Sequence, residues 1–134
     1  MRKNNKTSNA PIKVLMVDDE EGFVNVMAKR MGKRGVEIVK SFSGTEGIQV
    51  LRRQVFDAAV VDLKLGDMNG IEILKIFKKM DPDMPVIMLT GHGSEEAARD
   101  GIQYGAFDYL TKPYELEALV QKINEAIGRD RIES

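Results

Sequence analysis

Between Asp57 and Gly70 the chain reads DAAVVDLKLGDMNG, and this stretch restricts the fold more than any other. Ala58 to Val61 are apolar without alternation, the pattern of a strand buried on both faces of a parallel sheet. Asp62 then sets a carboxylate at the carboxyl end of that strand, and Gly66 and Gly70 permit a tight loop behind it. In an open α/β sheet this edge is where ligands bind. One acid there carries little information. The polar residues that end the other strands decide its meaning.

The remainder of the chain repeats strand, turn and helix. Ile12 to Val17 (IKVLMV) is a first strand ending in Asp18, Asp19 and Glu20. Phe23, Val26, Met27 and Met31 recur at helical spacing, and Lys33-Arg34-Gly35 closes that helix with cations and a glycine. Val36 to Phe42 is a second strand whose interspersed Glu37 and Lys40 suit a sheet edge. Ser43 and Glu46 have capping-box spacing ahead of Ile48, Val50 and Leu51. Asp57 to Leu63 is the third strand; Asn69 with Glu72 opens the next helix, and Asp81-Pro82 stops it. Pro85 to Thr90 (PVIMLT) is a fourth buried strand, followed by a short helix that Ser94 caps and Gly105 closes. Ala106 to Thr111 is a polar fifth strand at the other edge, and Leu116, Leu119, Ile123 and Ile127 define a last amphipathic helix. Alternating β and α segments with continuous apolar strands predict a doubly wound parallel sheet with helices on both faces.

At 134 residues the chain suits one domain, expected over residues 11–128, between a flexible polar tail at 1–10 and a tail or linker at 129–134. A net charge of −1 argues against a duplex-binding surface. No apolar run approaches the ~18 residues of a membrane span, and the polar N-terminus is unlike a signal peptide. Absent cysteines exclude disulfides and thiolate metal sites and agree with a cytoplasmic location. The eight methionines suit core filling.

In a parallel sheet all carboxyl ends share one edge. That edge collects Asp18, Asp19, Asp62, Thr90 and Lys112 from four separate segments. Clustered carboxylates repel, which favours proton uptake or a bound cation. Oxygen ligands without His or Cys select Mg²⁺. A carboxylate beside such a metal can attack a phosphoryl group, giving an aspartyl phosphate, with a lysine neutralising charge. Each residue also has a plainer explanation. Asp18 and Asp19 can cap the first helix, Thr90 is an ordinary strand residue, Lys112 a solvated lysine, and Tyr109 a half-buried packing ring.

The order and spacing of VLMVDDEE, VVDLKLGDMNG, VIMLTG and YLTKPY make the chain resemble the receiver domain of two-component response regulators, the chemotaxis-Y-like family, from about Ile12 to Ile127. The resemblance implies a flavodoxin-like strand order of 2-1-3-4-5. It implies Asp62 as phosphoacceptor, and Asp19, Asp62 and the main-chain carbonyl of Lys64 as Mg²⁺ ligands, with Asp18 holding metal-bound water. It further implies that Lys112 pairs with the phosphoryl group, that Thr90 moves to hydrogen-bond it, that Tyr109 is an aromatic switch, and that the Lys112-Pro113 bond is cis. Two residues depart from the family pattern: Gly66 stands where proline is usual, and Asn69 where aspartate is usual. Lys64 and His92 occupy the variable positions that tune dephosphorylation.

On this resemblance the chain is a signalling switch that catalyses only its own phosphorylation and dephosphorylation. Its partners would be a sensor histidine kinase or phosphotransfer protein, and a downstream target or an output domain beyond this chain. No direct nucleic-acid or membrane binding is expected, and homodimerisation on phosphorylation is left open. Two other functions use the same fold. An aspartate-nucleophile phosphohydrolase would want an acid where Lys64 stands, and a flavin-binding module would want Ser/Thr/Gly loops where DDEEG stands.

Overall fold

Five strands, each followed by a helix, run β1 (Ile12–Val17), α1 (Glu21–Gly32), β2 (Val36–Ser41), α2 (Gly44–Arg53), β3 (Ala58–Asp62), α3 (Gly70–Met80), β4 (Val86–Thr90), α4 (Glu95–Gln103), β5 (Asp108–Thr111) and α5 (Leu116–Ile127). This computed structural model describes residues 11–91 and 93–128, so the expectations for residues 1–10, His92 and 129–134 lie outside it. All strand pairs are parallel, in the order β2-β1-β3-β4-β5. The doubly wound arrangement and its strand order are as the sequence predicts.

Alternation along the buried strands divides the interior in two. Val14 and Met16, Ala58 and Val60, and Ile87 and Leu89 face α1 and α5, where Val24, Met27, Met31, Leu119 and Ile123 complete one apolar layer. Leu15 and Val17, Ala59 and Val61, and Val86 and Met88 face the other side, against Leu51, Ile73, Leu74 and Phe77 from α2 and α3. Because β3 and β4 are buried on both faces, their sequences carry no polar alternation until the edge at Asp62 and Thr90.

Local hydrogen bonds set the element ends and account for small departures from expectation. β2 stops at Ser41 because the Phe42 N–H donates to the Glu46 carboxylate (2.6 Å). Ser43 Oγ accepts from the Glu46 N–H as a capping box requires, but the return bond reaches one residue further back than the usual partner. β5 starts at Asp108, because the Ala106 N–H closes the end of α4 on the Gly101 carbonyl. Asn69 caps α3 by accepting from Ile71 N–H (2.8 Å). Ser94 precedes α4 without a side-chain cap bond, and Glu95 instead accepts from the Gly93 N–H.

Gly70 opens α3 directly beneath the end of β3. A Cβ there would lie 2.4 Å from the Asp62 carbonyl oxygen and 2.6 Å from Leu63 Cα, both backbone atoms that cannot turn aside. Among the described residues a Cβ at Gly22, inside α1, has no neighbour within 4 Å. Gly70→Ala is therefore expected to cost about 2 kcal/mol or more, whereas Gly22→Ala should gain about 0.5 kcal/mol from reduced unfolded-chain entropy. Urea denaturation of the two variants checks the opposite signs.

Candidate functional site

The register of the sheet fixes which carboxylates meet. β1 and β3 run side by side as far as Val17 opposite Val61, so one step further brings Asp18 beside Asp62. Asp18 is fully buried and Asp62 is 7% exposed. The Asp18 N–H donates to the Ser41 carbonyl, tying this end of β1 to β2. Asp18 Oδ1 accepts the Glu20 N–H at 2.9 Å, and Asp62 Oδ1 accepts the Lys64 N–H at 3.2 Å. The plain role of Asp18 in turning the chain toward α1 is thus real, and its second oxygen remains for the edge.

Lys112 reaches that edge from the far side of the sheet. Its backbone N–H donates to the Thr90 carbonyl (2.7 Å), and its bond to Pro113 is cis, as the resemblance implies. Its Nζ donates to Asp18 Oδ2 at 2.7 Å, Asp62 Oδ2 at 3.0 Å and Glu20 Oε1 at 2.5 Å. The Lys112 Nζ sits 5.3 Å from the Phe23 ring centre, and Phe23 in turn meets Tyr114 edge-on at 5.7 Å.

Electrostatics at the site follow from burial first. Desolvation raises the Asp18 carboxyl above its ordinary range, although Lys112 and the Glu20 N–H work against it; the charge of Asp62 adds a smaller upward push. Mutual repulsion of acids is therefore the lesser cause, with burial the greater. Burial alone would lower Lys112, but the hydrogen bonds it donates to Asp18, Glu20 and Asp62 outweigh it and raise the ammonium above its usual value. The Tyr114 phenol is raised mainly by burial.

Of the residues singled out in the sequence, Asp18, Asp62 and Lys112 are in direct contact, and Thr90 is fully buried beside them at the end of β4. Thr90 Oγ1 donates to the Gly91 carbonyl at 3.2 Å, a long bond for a hydroxyl. Tyr109 is half-buried opposite Met88 and packs against the α2–α3 apolar layer. Asp19 is exposed on the loop side of this edge, where its Oδ2 lies 3.6 Å from where a Gly66 Cβ would be. Glu20 joins Asp18 and Asp62 around the Lys112 ammonium. Carboxylate oxygens of Asp18, Glu20 and Asp62 all lie within 4.8 Å of one another, a hard, oxygen-only donor set of the kind Mg²⁺ selects. Glu20 was legible only as the third acid of the DDE run. Phe23 looked like an ordinary helix residue, and nothing in the sequence singled out Tyr114.

Comparison with known proteins agrees with this geometry. The family described as "Response regulator receiver domain" matches residues 14–124. The chain is 38% identical over 120 residues to the transcriptional regulatory protein GlrR of Escherichia coli (strain K12), covering 90% of this chain and 27% of that protein. A putative NtrX-like response regulator of Rickettsia bellii (strain RML369-C) is 36% identical over 117 residues, covering 86% of this chain and 24% of that one. The chain thus spans about a quarter of the length of these curated relatives. Among solved structures, a response regulator receiver domain protein from Clostridium thermocellum aligns with a TM-score of 0.84 at 34% identity, over 87% of this chain and 94% of that one. The receiver domain of NtrX from Brucella abortus aligns with a TM-score of 0.82 at 27% identity, over 86% and 98% of the two chains.

The raised Asp18 carboxyl makes the metal-free folded state bind a proton more readily than the unfolded chain. Its contribution to stability is therefore lost as pH climbs from the unfolded value of 3.8 through the raised folded one, and neutral pH carries the full penalty. Asp18→Asn should melt higher than wild type at neutral pH without metal, by on the order of 1 kcal/mol. The gap should close as pH falls below the unfolded value. Thermal melts across that range, in chelator, check both the sign and the closing of the gap.

Proposed function

The chain belongs to the response regulator receiver domain family, a phosphorylation-controlled module of two-component signalling, and from that premise we propose that Asp62 is its phosphoacceptor. The carrying observation is the Lys112 ammonium bonded at once to Asp18 and Asp62 on the carboxyl edge of the sheet. An Asp62 carboxylate oxygen attacks the phosphorus of the incoming group. A P–O bond to Asp62 forms while the donor's bond to phosphorus breaks, and the donor leaves with the electron pair. From a phosphohistidine the leaving group is an imidazole. Such transfer needs chiefly alignment and charge neutralisation.

Lys112 is already held on the nucleophile's oxygen, so its charge is in position before the phosphoryl group arrives. Asp18 and the Phe23 ring hold that ammonium in place. Asp19, Asp62 and the Lys64 carbonyl would hold Mg²⁺, with Asp18 holding its water; when bound it supplies positive charge to the phosphoryl oxygens. Thr90 Oγ1 leaves its long bond to Gly91 and donates to a phosphoryl oxygen. Tyr109 in β5 and the neighbouring α4 and α5 register that change, since Thr90 and Lys112 join β4 to β5.

A sensor histidine kinase or phosphotransfer protein supplies the group, and the output is a separate target or a domain in the same polypeptide. Both act in the cytoplasm. Among the described residues no helix is long and apolar enough to cross a membrane. Neither of the other two functions gains support: Lys64 still stands where a phosphohydrolase would need its acid, and DDEEG follows β1 where flavin phosphate would have to bind.

Incubation with acetyl phosphate and Mg²⁺ should add one phosphate to the wild type and none to Asp62→Ala, as read by intact mass. Lys112→Ala should slow incorporation by about a hundredfold. Equal incorporation into wild type and Asp62→Ala would refute the assignment. Amide exchange with and without a phosphoryl mimic should change most in α4, β5 and α5; changes confined to α1 and α2 would refute the assigned output face.

A further inference from the structure

The loop that joins β3 to α3 is fastened at both its base and its tip, and the two fastenings differ in kind. At the base, Lys64 and Asn69 form an isolated antiparallel bridge, and the Gly70 N–H donates to the Leu63 carbonyl at 2.8 Å. At the tip, Asp67 reaches across to another element. Its Oδ1 accepts the Gly44 N–H at 2.9 Å, and its Oδ2 accepts both the Thr45 N–H at 3.0 Å and the Thr45 hydroxyl at 2.8 Å. These are donors at the start of α2, where helical N–H groups lack partners of their own. The bonds from Gly44 and Thr45 hold the Asp67 carboxyl below the usual carboxylate range.

α2 already has a cap of its own in Ser43, whose Oγ accepts the Glu46 N–H. Ser43 leaves the Gly44 and Thr45 N–H groups unserved, and Asp67 takes both, so one carboxylate completes the helix start and ties the loop to it. Gly44 makes the approach feasible. A Cβ there would stand 2.6 Å from Ile73 Cδ1 and 3.1 Å from Met68 Sδ, so the glycine is what allows α3 and the loop tip to come this near. Between Asp67 and the site lie only Gly66, which faces Asp19, and Leu65, which follows the Lys64 carbonyl. Gly66 has neither the fixed φ of a proline nor a side chain to anchor it.

We propose that Asp67 is a positioning residue: by clamping the β3–α3 loop onto the start of α2 it fixes the Lys64 carbonyl and the loop wall beside Asp19, and so sets the affinity of the site for a divalent cation. The inference rests on the phosphoacceptor reading above and adds to it a determinant outside the acidic edge. The clamp stiffens a loop that Gly66 leaves free. Without it, the carbonyl and the carboxylates no longer arrive pre-arranged, and part of the binding energy goes into ordering the loop.

A helix cap alone would lower stability and leave metal affinity unchanged, so the test compares Asp67→Ala with Ser43→Ala. Both variants remove a side-chain acceptor from the start of α2, and both should melt below wild type. Only Asp67→Ala should weaken Mg²⁺ binding, by roughly tenfold, measured by calorimetry with Mg²⁺ alone and by amide shifts of the loop. Ser43→Ala should stay within about twofold of wild type, and Asp67→Asn, which keeps one acceptor oxygen, should fall between. With acetyl phosphate, Asp67→Ala should need more Mg²⁺ for half-maximal rate and reach nearly the wild-type rate at saturation. Unchanged Mg²⁺ affinity in a folded Asp67→Ala variant would overturn the proposal, as would equal weakening in Ser43→Ala. If wild type itself neither binds Mg²⁺ nor takes phosphate at Asp62, the underlying functional reading fails and this inference falls with it. Wild-type binding with an unaffected Asp67→Ala overturns this inference alone.

Discussion

Two carboxylates on neighbouring strands cannot both be buried and charged unless a cation stands close to them, and here the Lys112 ammonium meets that need. Its three acceptors belong to β3, to the end of β1 and to the turn before α1, while the lysine itself follows β5. One charged group therefore ties together both halves of the sheet. Removing it would leave Asp18, which is fully buried, without its chief counter-charge. On the proposed assignment the same contact readies the edge for phosphoryl transfer, because a positive charge is already seated on Asp62.

That contact exists because the strand register allows no other pairing. Val14 lies opposite Ala58 and Val17 opposite Val61, so Asp18 and Asp62 follow as the next pair. A slip of one residue would turn Asp62 toward the α2–α3 layer and bury it among Ile73, Leu74 and Phe77. The apolar alternation that builds the two core layers is hence also what aims the acids. Gly70 adds a second constraint, since the start of α3 sits too near the Asp62 carbonyl to accept any side chain. Core packing and site geometry are in this respect one problem.

Much of this was legible in the sequence because it is local. The runs AAVV and VIML announce strands buried on both faces, and Ser43 and Asn69 mark helix starts by their own side-chain preferences. The convergence of Asp18, Asp62, Thr90 and Lys112 followed from topology alone. What escaped depends on torsion angles just beyond the strands. Asp18 accepts the Glu20 N–H, and in the resulting turn it is Glu20 that meets Lys112. Adjacent acids of identical charge give no hint of which one reaches the lysine. Asp67 escaped for a different reason: its partners lie 22 and 23 residues away, and nothing in its own neighbourhood announces them. Ala106 and Phe107 looked like strand, yet their backbone groups are used to close α4 and to start the pairing with β4.

The narrow exposure of Asp62 has a consequence for what can reach it. On the proposed assignment the target carboxylate sits where the loops that leave β1, β3, β4 and β5 meet, with little of it facing solvent. A donor must therefore carry its phosphoryl group on a projection, either as a small acyl phosphate or as a side chain standing proud of a convex surface. A phosphoryl group recessed in a cleft of its own cannot close the distance. Selection among donors thus begins with their outline, before any side chain on the two surfaces has been compared.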